Sequence, residues 1–340
     1  MRNKLAVIII LLLLISNGRA RPAYTEHDAS FIIKIKDIET ASLITSVFAM
    51  PAEKIKLKVV DNNPLNIYQV TDLSKRGVFK RTGKYTWDIR APEEKGLYRL
   101  AVSNTWTGSR IELNLFVMVP SKQIKNGILN GYKIGNYPAV GYKGLTAYQK
   151  IPGFIEVTKE NENTYISPHF QLKQFLCKQP SQYPKYIALK ERLPLKLELV
   201  LAELKREGYL AETLHIMSGY RTPFYNQALG NVKYSRHIYG DAADIFIDDN
   251  PEDGSMDDLN NDNVVDHRDA MVLFQAIEQV ESRKWNAPYI GGLGRYTRNK
   301  FHGPFVHVDT RGFFARWGVP ETELAVMPKD LTNSVASIQE

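Results

Sequence analysis

Residues 235 to 244 read Ser-Arg-His-Ile-Tyr-Gly-Asp-Ala-Ala-Asp, and residues 305 to 312 read Phe-Val-His-Val-Asp-Thr-Arg-Gly. Any fold open to this chain has to accommodate both segments, because between them they offer two imidazoles and a carboxylate in strand-like surroundings. Asp244 begins an apolar run of strand character, residues 244 to 248. In residues 305 to 309 the alternation of a strand puts His307 and Asp309 on one face. His237, Asp244 and His307 form a ligand set for zinc, which accepts imidazole nitrogen and carboxylate oxygen and in catalytic sites keeps a fourth position open. Gly240 lets the chain turn back after His237, and Ala242 and Ala243 are small enough for close packing.

The order SxHxxGxAxD, then a strand carrying HxD, resembles the zinc D-alanyl-D-alanine peptidase superfamily, and within it the short murein endopeptidases. Two further segments carry the resemblance: Ser-Gly-Tyr-Arg-Thr at 218 to 222 and Gly-Gly-Leu-Gly-Arg-Tyr at 291 to 296. It spans about residues 166 to 320 and implies an α+β zinc peptidase domain acting on peptidoglycan stem peptides. The implied reaction is hydrolysis of an amide bond in a stem or cross-link, by a D,D- or L,D-carboxypeptidase or endopeptidase. The resemblance also places Arg221 beside the metal, where its guanidinium would pair with a substrate carboxylate or a developing oxyanion. Asp309, on the strand face of His307, is expected to take the proton of the attacking water. His302 in the preceding loop is the rival base, and Ser235 is expected to orient the ligand loop through a hydrogen bond. Two readings compete: a zinc that only stabilises the fold, as in the hedgehog signalling domain that resembles this superfamily, and an envelope binding or scaffold protein that keeps the metal without turnover.

Between the two metal segments lies an acidic insertion, about residues 250 to 270. Asp258, Asn260, Asp262, Asp266 and Asp269 occupy positions 1, 3, 5, 9 and 12 of a twelve-residue loop, with the Val264 carbonyl at position 7. That spacing wraps calcium and resembles a dockerin or EF-hand loop, with Asn263 in place of the turn glycine and Asp269 in place of the final glutamate. A structural calcium would steady the helix expected over residues 270 to 280. The competing reading is a solvated acidic loop.

At 340 residues the chain has length for two domains. From 25 to 121, seven short alternating runs separated by turn signals predict an immunoglobulin-like β-sandwich. It offers no catalytic cluster and is expected to be a spacer or adhesion module, with Trp87 and Trp106 as core or strand residues. Residues 122 to 165, rich in Gly, Tyr, Lys and Asn, read as a connector that packs on a neighbouring domain, with one hairpin near 153 to 158. Within the second domain, helices are expected over 168 to 178 and 195 to 207, and residues 214 to 217 as a buried strand.

Arg2 and Lys4, the uncharged run Leu5 to Ile15 and a small-residue site ending at Ala20 predict a secretory signal peptide over 1 to 20. Residues 321 to 340 read as a tail. Cys177 is the sole cysteine, so no internal disulfide forms, and a secreted or periplasmic bacterial envelope protein fits better than a disulfide-stapled one. The net charge of +7 suits an anionic wall surface. Nucleic acid is excluded by the lack of a basic run or aromatic-basic module, and no stable membrane span is expected once the signal is cleaved.

Overall fold

The computed structural model describes residues 27–209 and 211–318. The expected signal peptide and C-terminal tail lie outside the described residues.

The first part is all-β. Nine strands, β1 (Asp28–Ile35), β2 (Ile38–Ser42), β3 (Ile44–Ala49), β4 (Lys54–Val60), β5 (Tyr68–Asp72), β6 (Phe79–Gly83), β7 (Thr86–Arg90), β8 (Gly96–Asn104) and β9 (Arg110–Val117), form two sheets. Their orders are β2-β1-β4-β7-β6 and β3-β9-β8-β5. Strict alternation drives this: in β4, Ile55, Leu57 and Val59 are buried while the intervening lysines are exposed. The inner faces of both sheets meet in one core that includes Ile33, Leu57, Trp87, Leu100 and Leu113. Strands β2 and β6 were not expected, because β6 is almost wholly exposed and carries no apolar alternation. Trp87 lies in the core as anticipated, whereas Trp106 sits 73% exposed in the β8–β9 turn.

The connector is ordered by its neighbours. Residues β10 (Val119–Pro120), β11 (Ile128–Leu129), β12 (Tyr132–Lys133), β13 (Gly153–Val157) and β14 (Lys185–Ile187) form small pairings. The expected hairpin near 153 is instead the middle strand of β10-β13-β14. Tyr132, Tyr148 and Phe154 join the larger core of the second part.

That second part stacks α1 (Arg192–Arg206) and α3 (His267–Ser282) on a five-stranded sheet, with the short α2 (Pro223–Ala228) at its side. The strands are β15 (His215–Ser218), β16 (Ala242–Phe246), β17 (Gly292–Tyr296), β18 (Phe305–Asp309) and β19 (Ala315–Trp317), in the order β15-β16-β18-β17-β19. Helix α1 forms where Leu197, Val200, Leu201 and Leu204 fall on one face, all buried, and Gly208 with φ +93° follows its end. The helix expected over 168 to 178 is only a 3-10 turn, Leu172–Phe175. Strand β15 is an edge strand with His215 exposed, not a buried one.

Both parts share contacts. Leu195 and Tyr289 belong to the sandwich core, and Phe48, Phe116, Met118 and Val119 to the other core. Glu191 accepts from the Phe48 amide at 3.1 Å, Arg192 pairs with Asp37 at 2.5 Å, and Asn114 donates to the Tyr165 carbonyl at 2.9 Å.

Candidate metal centre

The register of the sheet builds the site. Ser218 pairs with Asp244, Asp244 with His307, His307 with Gly294, and Gly294 with Trp317. One transverse row therefore crosses all five strands, and because cross-strand partners share a face, Asp244 and His307 stand side by side. His237 arrives from the 3-10 turn Arg236–Tyr239 that precedes β16. Gly240 closes this turn in the left-handed region at φ +73°, and a Cβ there would lie 2.2 Å from the Ala188 carbonyl oxygen, so only glycine fits.

His237, Asp244 and His307 are all buried, and their ligand atoms lie within 4.8 Å of one another. His237 Nε2 is 3.1 Å from Asp244 Oδ1 and 3.1 Å from His307 Nδ1, and His307 Nδ1 is 3.0 Å from the same oxygen. The other ring nitrogens fix the tautomers. His237 Nδ1 donates to the Gly219 carbonyl at 2.7 Å, and His307 Nε2 donates to Asp309 Oδ2 at 3.2 Å. Two imidazole lone pairs and an anionic oxygen thus converge with no proton assigned between them, an arrangement that calls for a cation. Their spacing is near the edge of a tetrahedron with bonds of about 2.0–2.1 Å, which is about 3.3 Å. The residues fit zinc.

Electrostatics favour the ligand form at two of the three groups. Burial pushes the His237 pKa down and Asp244 does not fully offset it, so the ring is neutral at neutral pH, as a ligand must be. Burial works against charge on His307 too, but hydrogen bonds to Asp244 and Asp309 outweigh it and raise its pKa, so a metal would have to displace a proton from Nδ1. Asp244 is held well below the carboxylate range, the cost of burial being overcome by His237 and His307.

Asp309 does not stand where a base for an attacking water belongs. It is fully buried, on the nitrogen of His307 that points away from the other two ligands. Its carboxylate accepts from the Gly292 amide at 2.8 Å, from the Arg311 amide at 3.0 Å and from Arg311 Nε at 2.9 Å. Burial alone would raise its pKa, but the Arg311 charge and the hydrogen bonds from His307 and Arg311 hold it well below the usual range. The strand alternation that put Asp309 on the metal face was right, yet one repeat along the strand leaves it behind the ring, where it orients His307.

His302, the rival base, is turned elsewhere: Nδ1 faces the Gly303 carbonyl at 2.7 Å and Nε2 the Asn299 amide nitrogen at 2.7 Å. Arg221 ion-pairs Asp244 Oδ2 and donates through Nε to Ser218 at 2.9 Å. That leaves Asp244 Oδ1 to the metal position, while the fork keeps further N–H groups for a substrate. Ser235 supports the ligand turn through its carbonyl, which accepts from the Ile238 amide at 3.2 Å, and its side chain makes no capping bond.

Sequence reasoning missed the layer beneath. Lys196, Glu281 and Arg316 are fully buried charges contributed by α1, α3 and β19. Lys196 donates to the Asp309 carbonyl at 2.7 Å, Glu281 accepts from the Gly291 amide at 3.1 Å, and Arg316 donates to the Gly291 carbonyl at 2.9 Å. In the sequence Lys196 and Glu281 look like surface charges of amphipathic helices and Arg316 like any exposed arginine; only packing puts all three inside. The glycines of the 291–296 segment have a spatial reason as well: a Cβ on Gly291 would lie 1.8 Å from the Asp309 carbonyl oxygen, and one on Gly294 2.1 Å from Trp317 Nε1.

In the acidic insertion, Asp269 is buried and its two oxygens accept from the Leu259, Asn260 and Asp266 amides at 2.8, 3.2 and 2.8 Å. Asp258 accepts from the Asp262 and Asn263 amides at 3.2 and 2.7 Å, and Asn260 from the Asp262 amide at 2.9 Å. Asp262 accepts from the Val264 amide at 3.0 Å. Arg268 pairs with Asp262 at 2.6 Å and Asp266 at 2.8 Å. Asn263 takes the left-handed conformation at φ +66°, as the glycine position of such a loop requires.

Residues 168–275 match the family model described as Peptidase M15. The matched segment carries His237 and Asp244 and stops short of His307, which the fold alone brings to those two residues. No curated protein matches. A solved structure, the crystal structure of the titin M3 domain, is similar at 16% identity over 26% of this chain and 98% of its own. Its TM-score of 0.17 is too low to bear on the fold.

Proposed function

We propose that the chain is a zinc-dependent peptidase of the bacterial envelope that hydrolyses an amide bond in peptidoglycan stem peptides or their cross-links. The observation that carries this reading is the convergence of two imidazole nitrogens and one carboxylate oxygen, with His237 and Asp244 lying in the segment that matches Peptidase M15 and His307 brought to them by the fold. Zinc held by His237, Asp244 and His307 would supply Lewis acidity and lower the pKa of water to about 7. Around it, Asp309 fixes the His307 tautomer, Gly219 that of His237, and Arg221 keeps Asp244 ionised and offers donors to an anionic substrate. The protein, loaded with zinc and incubated with purified murein, is expected to release shortened or uncross-linked muropeptides detectable by mass spectrometry. Intact muropeptides after full zinc loading would sink the proposal.

A second reading, a wall-binding protein that holds zinc without turnover, is favoured by one observation: Asp309 and His302 both point away from the ligand cluster. It predicts zinc-loaded protein that co-sediments with murein and leaves it uncut. Export to the periplasm or cell exterior through residues 1 to 20, and a wall-contacting role for the net positive charge, belong to either reading. We also propose a structural calcium in the loop from Asp258 to Asp269. Binding requires Arg268 to give up Asp262 and Asp266, so millimolar calcium should raise the unfolding temperature and Arg268→Ala should enlarge that rise. No response of either protein would leave the loop an amide-satisfied turn.

A further inference from the structure

Next to the ligand set stand polar groups that it does not use. Beside the row that holds Asp244 and His307 runs a second row on the same face, in which His215 pairs with Phe246 and Phe305 pairs with Tyr296. Tyr296 lies flat on Phe305, with ring centroids 4.5 Å apart and planes within 6°, and is 38% exposed. Trp317 Nε1 donates to the Tyr296 hydroxyl at 3.0 Å, and the Trp317 ring packs on His307 with centroids 5.1 Å apart. An indole N–H can only donate, so the Tyr296 oxygen is the acceptor and its own proton is left to point elsewhere. Among the described residues no acceptor for that proton is present in the hydrogen-bond network. Trp317, which touches both, links the Tyr296 hydroxyl to His307, and burial raises the Tyr296 pKa, so the phenol is protonated at neutral pH.

We infer that Tyr296 is a catalytic hydrogen-bond donor, its hydroxyl aimed by Trp317 at the carbonyl oxygen of the substrate amide. The inference rests on the peptidase reading. In the reaction, water adds its oxygen to the carbonyl carbon and the C–N bond breaks. The water oxygen stays in the new carboxylate, and both water protons end on the leaving amine, which departs as an ammonium. Tyr296 keeps its proton throughout and strengthens its hydrogen bond as the carbonyl oxygen gains negative charge, which lowers the barrier without tightening ground-state binding. Trp317 is a positioning residue: it touches Tyr296 and His307. Gly294 is what admits its indole to this place.

The test compares wild type, Tyr296→Phe and Trp317→Phe on a soluble cross-linked muropeptide, with zinc content and unfolding temperature measured for each. Tyr296→Phe should lower kcat by about 10²-fold with KM, zinc content and unfolding temperature unchanged, in line with loss of one oxyanion donor. Trp317→Phe should give a smaller fall in kcat. A phosphinate dipeptide, whose anionic oxygens mimic the developing charge, should bind Tyr296→Phe more weakly by the same factor as kcat falls. An active wild type with Tyr296→Phe equally active, or with its deficit confined to KM or zinc content, overturns the assignment and leaves the peptidase standing. A zinc-loaded wild type that cuts nothing overturns both.

Discussion

At the scale of single residues, the decisive fact is which nitrogen each histidine turns toward the cluster. Asp309 and the Gly219 carbonyl hold the outer N–H of His307 and His237, so both inner lone pairs face Asp244. Asp309→Asn should therefore weaken zinc binding by about 10- to 100-fold, read by competition with a chromophoric chelator, instead of abolishing turnover with zinc retained. The pH dependence has a definite sign. Zinc needs neutral imidazoles, so the held fraction falls as pH drops. Bound zinc competes with those protons, so release should set in only as the pH falls below the ordinary imidazole value of about 6.5. A zinc content that does not fall on acidification through and well below that value would contradict imidazole ligation.

At the scale of elements, register does what residue type cannot. The pairing Ser218, Asp244, His307, Gly294, Trp317 is a property of five strands from five separate stretches of the chain, and a slip of one residue in any strand would send its member to the other face. The tight turn into β16 is equally constrained. Gly240→Ala adds a Cβ 2.2 Å from a carbonyl oxygen at φ +73° and should cost at least about 1–3 kcal/mol, measured by urea unfolding, with zinc affinity falling because His237 moves. The strands of the sandwich were readable wherever alternation was strong, as in β1, β4 and β8, and missed where exposure erased it, as in β6. Helix α1 was readable from its apolar stripe, while the segment over 168 to 178 follows the path of the core and collapses to one 3-10 turn.

At the scale of the whole molecule, buried charge ties the helices to the site. Lys196, Glu281 and Arg316 clamp the Gly291 and Asp309 backbones between α1, α3 and β19. Glu281→Ala would leave the buried Lys196 without its carboxylate and Arg316 with Glu278 alone, and should cost about 3–5 kcal/mol, measured by chemical denaturation. The sandwich is part of the same solid: removing residues 27 to 121 would uncover Leu195 and Tyr289 and strip β13 of its β10 partner. A chain beginning at residue 122 should unfold at lower temperature than the full chain, which should unfold in one calorimetric transition; two separate transitions would speak against the shared interface.

By itself the sequence determined the alternating strands, the amphipathic helix and the three ligand types, since hydrophobic period, turn chemistry and metal-ligand preference are local properties of residue order. What only the tertiary structure decided is direction: which side of His307 Asp309 stands on, that Arg221 is spent partly on Asp244, and that Lys196, Glu281 and Arg316 lie inside. Those outcomes depend on strand register and on which faces pack together, and contacts between residues a hundred positions apart leave no periodic trace along the chain.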